Sequence, residues 1–496
     1  MKDIDKIAII GCGSMGGGLA LLFAESGLNV SLKNPDEDAM DGIVAKAKAD
    51  GSGERVHKFT DDASLCASLG SPRVFLLSLP HGTLGDTILE GLEPYLSQGD
   101  IILDAANEHW QNTERRQGRA ATRGVRYIGV GVSGGYQAAR RGPSLCPGGD
   151  ADSLRLVMPL LEKVAAKDRQ GKPCVAPAGL GGSGHYVKMI HNGIEHGMMG
   201  AVAEAWKIME SGLGLSYDQI GHAFATWNES GELAGTFLID IAADICHKTD
   251  GDGTHVLSTV EDKVVQDVTE EEGTGVWSNT EAIEQHVPAP SLSAAHFLRL
   301  VSADRDERAR VREAFGGQFP PSPRPMKSDD AQAAIEDLRL AVYTASLASF
   351  AQGISAIDRA NRKHGWDINY ANVLQIWRAG CIIRADYIAD LLAPVFASAK
   401  DRRSMNLLTE PHIATELQKC WPALKRVVSH AISTDFVIPT LSSTLEYLKY
   451  SGSLNLPTQF YEAQMDYFGS HMYDRKGEED NGKPVTGRYH YEWKSA

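Results

Sequence analysis

A chain of 496 residues is longer than a single hydrophobic core usually serves, so two or three domains are expected. Its 43% apolar and 23% charged residues are those of an ordinary globular protein, while a net charge of −15 and a pI near 5.5 argue against nucleic acid or an anionic membrane as partner. Any anionic substrate must therefore meet local positive charge. No run of 18 apolar residues appears, and the opening Met-Lys-Asp-Ile-Asp-Lys lacks a secretory signal, so a cytoplasmic location is expected. The seven cysteines are odd in number and contain no CxxC pair, which predicts reduced thiols and neither a disulfide framework nor a metal site.

Residues 6 to 10, Lys-Ile-Ala-Ile-Ile, read as a short buried strand feeding Gly11-Cys-Gly13-Ser14-Met15-Gly16, after which Leu19, Ala20, Leu22, Phe23 and Ala24 recur at helical spacing. Gly-x-Gly-x-x-Gly between a strand and a helix lets backbone amides approach a pyrophosphate, and the helix N-terminus adds partial positive charge. By itself the triplet is also a tight turn of unrelated folds. Its strand-turn-helix context makes Gly11, Gly13, Ser14, Met15 and Gly16 a dinucleotide cradle. Further strands are expected at Asn29 to Leu32, Val74 to Leu79, Ile101 to Leu103 and Tyr127 to Val132, with helical segments between them. Such alternation implies a mostly parallel sheet covered on both faces, an α/β domain over residues 1–178.

From about Gly179 the pattern changes to long helical periodicities, as in Ile190 to Ser211, Glu281 to Val301 and Ser328 to Arg362, and a helical domain over 179–440 follows. The stretch Gly316 to Pro325 reads as a loop between helices. Residues 441–496 form a polar, aromatic tail, with Lys476 to Lys483 expected to be mobile; such a tail is either disordered or held by a neighbour.

Within the helical part, Gly184-His-Tyr-Val-Lys-Met-Ile-His-Asn-Gly-Ile-Glu195 sets Lys188, His191, Asn192 and Glu195 at spacings of three, four and seven. Seven residues at about 100° each return a helix to within about 20° of its start, so these groups share one face. A lysine base and a carboxylic acid within two turns can move protons to and from a bound substrate. The bland alternative is a solvated face with an i, i+7 charge pair.

The motifs of the whole chain decide between the two. Gly11 to Gly16, Ile101-Ile-Leu-Asp-Ala-Ala-Asn107, Val130-Gly-Val-Ser-Gly-Gly135, Gly142-Pro-Ser-Leu-Cys-Pro-Gly-Gly149, Gly184 to Glu195, Gly273-Thr-Gly275 with Trp277, Trp377-Arg-Ala-Gly-Cys-Ile-Ile-Arg384 and Asp466-Tyr-Phe-Gly-Ser-His471 occur in one order. In these blocks the chain resembles the decarboxylating 6-phosphogluconate dehydrogenases, within the wider β-hydroxyacid dehydrogenase group, over nearly its full length. The resemblance implies a Rossmann domain that binds NAD or NADP, a large all-α domain, and a C-terminal tail reaching the other subunit of a homodimer. It implies that hydride leaves C3 of a sugar acid while Lys188 takes the hydroxyl proton, that the β-keto acid then loses C1 as carbon dioxide, and that Glu195 protonates the enediol. It also implies that Asn107, Ser133, Gly134, Gly135, His191 and Asn192 bind the carboxylate and hydroxyls.

The departures carry information too. Where the family holds a distal phosphate with a tyrosine, a lysine, an arginine, and an arginine and histidine from the partner's tail, this chain has His196, Glu272, Arg299, Met465 and His471. Two cations are missing and a carboxylate has arrived, and each lost charge-assisted hydrogen bond is worth roughly 1.5–3 kcal/mol. An unphosphorylated or differently tailed aldonate is therefore the alternative substrate, unless Lys263, Arg140 or Arg141 compensates. The substrate set expected is Asn107, Ser133, Gly134, Gly135, Lys188, His191, Asn192, Glu195, His196, Thr274, Arg299 and His471. After the second strand, Lys33-Asn34-Pro35-Asp36 lacks the arginine with which NADP-preferring members grip the 2′-phosphate. Asp36 suits a ribose hydroxyl and repels a phosphate, whereas Lys33 pulls the other way, so NAD is slightly favoured with Asn107 also on the cofactor side. The Pro80-His81-Gly82 turn replaces another nicotinamide-side motif. Two competing readings are oxidation without decarboxylation and a catalytically idle dinucleotide-binding paralogue; the joint presence of Lys188, Asn192 and Glu195 speaks against the idle one.

Overall fold

The structure, a computed structural model, describes residues 4–269, 273–318, 321–325, 331–398, 404–478 and 487–494. Glu272 and most of the segment expected to be mobile lie outside these residues. The chain forms two compact units, Met1–Leu445 and Glu446–Ala496.

The first unit opens with seven strands: β1 (Lys6–Ile10), β2 (Asn29–Lys33), β3 (Val56–Lys58), β4 (Val74–Leu77), β5 (Ile101–Asp104), β6 (Arg126–Ser133) and β7 (Ser144–Gly148). Seven helices accompany them: α1 (Ser14–Glu25), α2 (Glu37–Ala49), α3 (Asp62–Ser68), α4 (Leu84–Leu92), α5 (Trp110–Ala121), α6 (Gly135–Arg141) and α7 (Ala151–Val164). The strand order is β3-β2-β1-β4-β5-β6-β7, parallel except for β7, which runs antiparallel to β6. β1 and β4 are buried almost throughout, as continuous apolar runs require when helices cover both faces. Two apolar clusters result, one around Ile7, Ile9, Val30 and Leu161, the other around Ala8, Phe75, Leu77 and Ile102. The chain reverses strand order between β1 and β4, the position at which open α/β sheets take ligands beyond their carboxyl ends.

The helices that follow are α8 (Ser183–Lys207), α9 (Tyr217–Glu229), α10 (Phe237–His247), α11 (Thr274–Glu284), α12 (Pro290–Ala303), α13 (Arg305–Ala314), α14 (Ala331–His364), α15 (Tyr370–Ile376), α16 (Asp386–Ala397) and α17 (Pro411–Ser433), with α18 (Pro439–Gly452) and α19 (Thr458–Gly469) closing the chain. The stretch expected as one helix from Glu281 to Val301 is two, because Pro288 and Pro290 interrupt the backbone donors and Pro290 instead starts α12. α14 is 34 residues long and has mean hydropathy 1.4 over its most apolar window, 89% of which is buried. α8 and α17 pack along it.

α8 is the axle of the site. It lies against the β6–β7 pair at glycines where an added Cβ would be crowded. A Cβ on Gly184 would come within 2.5 Å of the Gly129 carbonyl oxygen and 2.6 Å of the Gly148 nitrogen, and one on Gly131 within 3.0 Å of Lys188 Cγ. The Rossmann sheet and α8 therefore share backbone contact at the level of Lys188.

Candidate active site

The glycine turn behaves as its spacing predicts. Gly11 has φ +97° and faces Ser78 with no room for a Cβ, Gly16 presses equally on Gly11, and Gly13 is exposed with open space where a side chain would stand. The outer two glycines close the turn and the middle one leaves backbone accessible to a ligand. Ser14 and Met15 begin α1, so its first-turn amides point at that space. A cavity of about 570 Å³ opens beside the turn, lined among others by Gly13, Ser14, Asp38, Lys46 and Arg140. These residues fit a dinucleotide.

Beyond β2 the polar groups are largely committed to the protein itself. Lys33 pairs with Asp62 of α3, Asn34 accepts from the Cys12 amide at 3.0 Å, and Asp36 caps α2 by accepting from Asp38 and Ala39. Lys33 thus has a carboxylate partner within the protein. Asn107 is exposed in the loop after β5. Just behind it, the buried Arg116 gathers Asp86, Asp104 and Glu108 and donates to the Gly82 carbonyl at 2.5 Å, while Glu108 accepts from the Gly82 amide at 3.0 Å. The His81 turn is therefore gripped from both sides. His81 and His109 each meet Trp277 edge to face, with centroids 5.0 and 5.2 Å away.

The polar row on α8 is buried, not solvated: Lys188, His191 and Asn192 are 9%, 1% and 7% exposed. Asn192 organises it. Its Oδ1 accepts from Lys188 Nζ and from His191 Nδ1 at 3.1 Å, and its Nδ2 donates to Thr274 Oγ1 at 2.8 Å. An oxygen that accepts the Nδ1–H leaves Nε2 as the acceptor, so Ser133 Oγ, 3.0 Å away, donates to it. Burial, with the Lys188 charge beside it, holds His191 well below its ordinary pKa and keeps it neutral. Glu195 is partly exposed, one oxygen 3.8 Å from His191 Nδ1. Gly134, at φ +112°, backs onto the Gly380 carbonyl and Gly135 follows at φ +68°. The Trp377–Arg384 motif thus supports the Ser133 turn, and Ser144 donates its amide to the Gly380 oxygen at 2.9 Å.

The structure brings Ser133, Gly134, Gly135, Lys188, His191, Asn192, Glu195 and Thr274 into one cluster. His196 follows directly on α8, and Arg299 donates through Nε to Asp267 at 2.6 Å. Arg140 does not reach this end: it is paired with Glu25 and Asp50 beside the glycine turn. Lys263 is exposed. His471 and Met465 belong to the second unit, where both are exposed and His471 meets Phe468 edge to face. Sequence reading passed over Asp267, Arg116 and His296. His296 shares a face with Arg299 at a spacing of three, but the Asp267–Arg299 pair spans 32 residues and leaves no local pattern.

A glycine-rich dinucleotide turn beside a buried amine, imidazole and carboxamide and a partly exposed carboxylate defines a nicotinamide-dependent dehydrogenase with a helical substrate domain. Family models describe the same two parts: "NAD binding domain of 6-phosphogluconate dehydrogenase" matches residues 6–179, and "6-phosphogluconate dehydrogenase, C-terminal domain" matches residues 184–493. Among curated relatives, the decarboxylating 6-phosphogluconate dehydrogenase of Emericella nidulans is 44% identical over 97% of this chain and 100% of its own. That of Escherichia coli K12 is 35% identical over 98% and 99%. A solved structure of the Plasmodium falciparum enzyme, studied as apo protein and with NADP+ and 6-phosphogluconate, superposes with a TM-score of 0.88 at 30% identity, covering 98% of this chain and 100% of the other. The chain belongs to the 6-phosphogluconate dehydrogenase family, and it is an NAD(P)-dependent decarboxylating dehydrogenase of that type.

Proposed function

We propose that the enzyme converts 6-phosphogluconate to a pentulose 5-phosphate and carbon dioxide, and that the α8 row performs the proton transfers. The observation that carries this reading is the Asn192 carboxamide, which ties Lys188, His191 and Thr274 to a single point beside Ser133. Bound nicotinamide supplies the acceptor for the C3 hydride. Lys188, as the free amine, takes the proton of the C3 hydroxyl, forming the ketone as hydride departs. As an ammonium ion it then stabilises the negative charge that builds on the keto oxygen while the C1 carboxylate leaves as carbon dioxide. Glu195, two turns along the same face, donates a proton to C1 of the enediol. Neutral His191 and Ser133 hold substrate oxygens by hydrogen bonds, and the Gly134–Gly135 turn offers backbone amides to an anionic carboxylate.

Several finer features belong to the same proposal. NAD is the favoured oxidant, because Lys33 is held by Asp62 and the Asp38 carboxylate lines the cavity beside the glycine turn. The enzyme works as a homodimer, its tail supplying His471 to the partner. Supporting this, α19 presents Phe460, Tyr461 and Phe468 at 64–73% exposure around an apolar groove of about 600 Å³, a surface that favours cover. Its location is cytoplasmic, in keeping with seven buried, unpaired thiols.

A second reading, the same chemistry on an unphosphorylated aldonate, draws support from the carboxylate of Asp267 on Arg299, which offsets the one cation at the tail end among the described residues that the sequence assigned there. Reduced-cofactor absorbance and carbon dioxide release, measured with 6-phosphogluconate and gluconate against NAD and NADP, separate the two. Efficient turnover of the phosphorylated acid establishes the first reading. Turnover of gluconate alone establishes the second.

A further inference from the structure

Next to the Lys188 row, α8 and α12 present two imidazoles face to face. His196 and His296 stack with centroids 5.7 Å apart and planes inclined by 10°. They are 5% and 3% exposed, and Nδ1 of each is buried without a hydrogen-bond partner. A Cβ on Gly275 would meet His196 Cε1 at 2.7 Å and His296 Nδ1 at 3.0 Å, so the Gly273–Gly275 turn rests on both rings. Thr274, which receives Asn192, lies in that same turn.

Among the described residues, the charged groups facing the pair are few. Asp267 sits 3.8 Å from His296 Nδ1 through one oxygen and accepts from Arg299 Nε through the other. Arg299 and, from α8, Lys188 both act on His196 electrostatically. Burial, then the Arg299 charge, brings His196 down to about 3, and burial lowers His296 as well. Both rings are therefore neutral as the pocket stands. Arg299 is offset by Asp267, so a phosphate dianion arriving here gains little from fixed charge. Two buried nitrogens without partners beside that ion pair are suited to an oxyanion whose arrival draws a proton from solvent onto the rings.

Building on the 6-phosphogluconate reading, we propose that His196 and His296 form a proton-accepting clamp for the substrate's distal phosphate, with His296 as a specificity-determining residue. The step is a binding equilibrium: the phosphate dianion enters, one proton from solvent adds to the imidazole pair, and an N–H⁺ donor faces the phosphate oxygens. No covalent bond forms or breaks. Conditional charge thus takes the place of permanent charge.

The test is calorimetric titration of the full-length enzyme with 6-phosphogluconate at pH 7.5 in two buffers of unlike ionisation enthalpy, alongside kinetics. The wild type is expected to take up about one proton per site on binding. In His296→Phe, which keeps a stacking ring, uptake is expected to vanish and the ratio of kcat/KM for 6-phosphogluconate over gluconate to fall at least tenfold, the scale of one lost charge-assisted contact. His296→Asn, smaller and unable to take a proton, gives the same loss of uptake if the phenylalanine variant fails to fold. Absence of proton uptake by the wild type overturns the clamp, as does an equal loss on both substrates in either variant, which marks a structural role. Failure of the wild type to bind or turn over 6-phosphogluconate is a different result and overturns the substrate reading beneath it.

Discussion

Replacing Gly131 by alanine tests whether the contact between β6 and α8 sets the catalytic geometry. The new methyl would stand 2.9 Å from the Gly184 carbonyl oxygen, 3.0 Å from Lys188 Cγ and closer still to Lys188 Cβ. Ordinary carbon contacts lie at about 3.5–4.0 Å, so α8 must retreat from the strand by on the order of 1 Å. Overpacking of this kind costs typically 1–3 kcal/mol in stability. A displacement of that size between reacting groups costs about a hundredfold in rate. The loss falls on Lys188, Asn192 and His191 together, since they ride on one helix, while the glycine turn at Gly11–Gly16 is untouched. Gly131→Ala is therefore expected to retain cofactor affinity in fluorescence titration, to melt a few degrees lower, and to lose about two orders of magnitude in kcat. A variant with wild-type kcat would refute the reasoning, for it would mean that the helix position has slack. Gly118→Ala, on the exposed side of α5 with open space around it, is the matched control and should be neutral or slightly stabilising.

Three further outcomes are expected. Lys188→Met removes the proposed base and should abolish hydride transfer with cofactor affinity intact; substantial single-turnover reduction would take Lys188 out of that role. Glu204, buried on α8, accepts from the Thr440 and Leu441 amides, and burial raises its pKa from 4.5 to about 7. The folded state then holds that proton more tightly, so its stabilising contribution is complete below about pH 4.5 and is lost as pH rises through about 7, by on the order of 3 kcal/mol. Thermal melts across pH 5 to 8 should accordingly show a shallower decline for Glu204→Gln than for the wild type, and parallel curves would dismiss the linkage. Pro35→Arg should raise kcat/KM for NADP at least tenfold relative to NAD by supplying a charge-assisted donor; an unchanged ratio would mean that this position does not face the 2′-phosphate.

The parts legible in the sequence are those whose physics is local. A glycine triplet between strand and helix has one geometry, and four polar groups at helical spacing share one face whatever surrounds them. β3 and β7 escaped notice for local reasons as well. β3 is three residues long, and β7, Ser-Leu-Cys-Pro-Gly, contains a proline that only an edge strand tolerates. The Asp267–Arg299 pair, the Arg116 hub and the stacked histidines join segments far apart in the chain, so their existence depends on the assembled fold. The Lys33–Asp62 pair, 29 residues apart, is of the same kind.

The long apolar helix α14 has a consequence for how the protein is made. Its neighbours are α8, already synthesised when it emerges, and α17, which begins 47 residues after α14 ends. A growing chain thus exposes for several seconds, at bacterial or eukaryotic elongation rates of about 5–20 residues per second, a greasy helix long and apolar enough to span a bilayer. Early docking on α8 covers one side, leaving the other to chaperones until α17 arrives. Substitutions that weaken the α14–α17 seam would then show themselves first as poor soluble yield at elevated growth temperature, before any change in the turnover of enzyme that has folded.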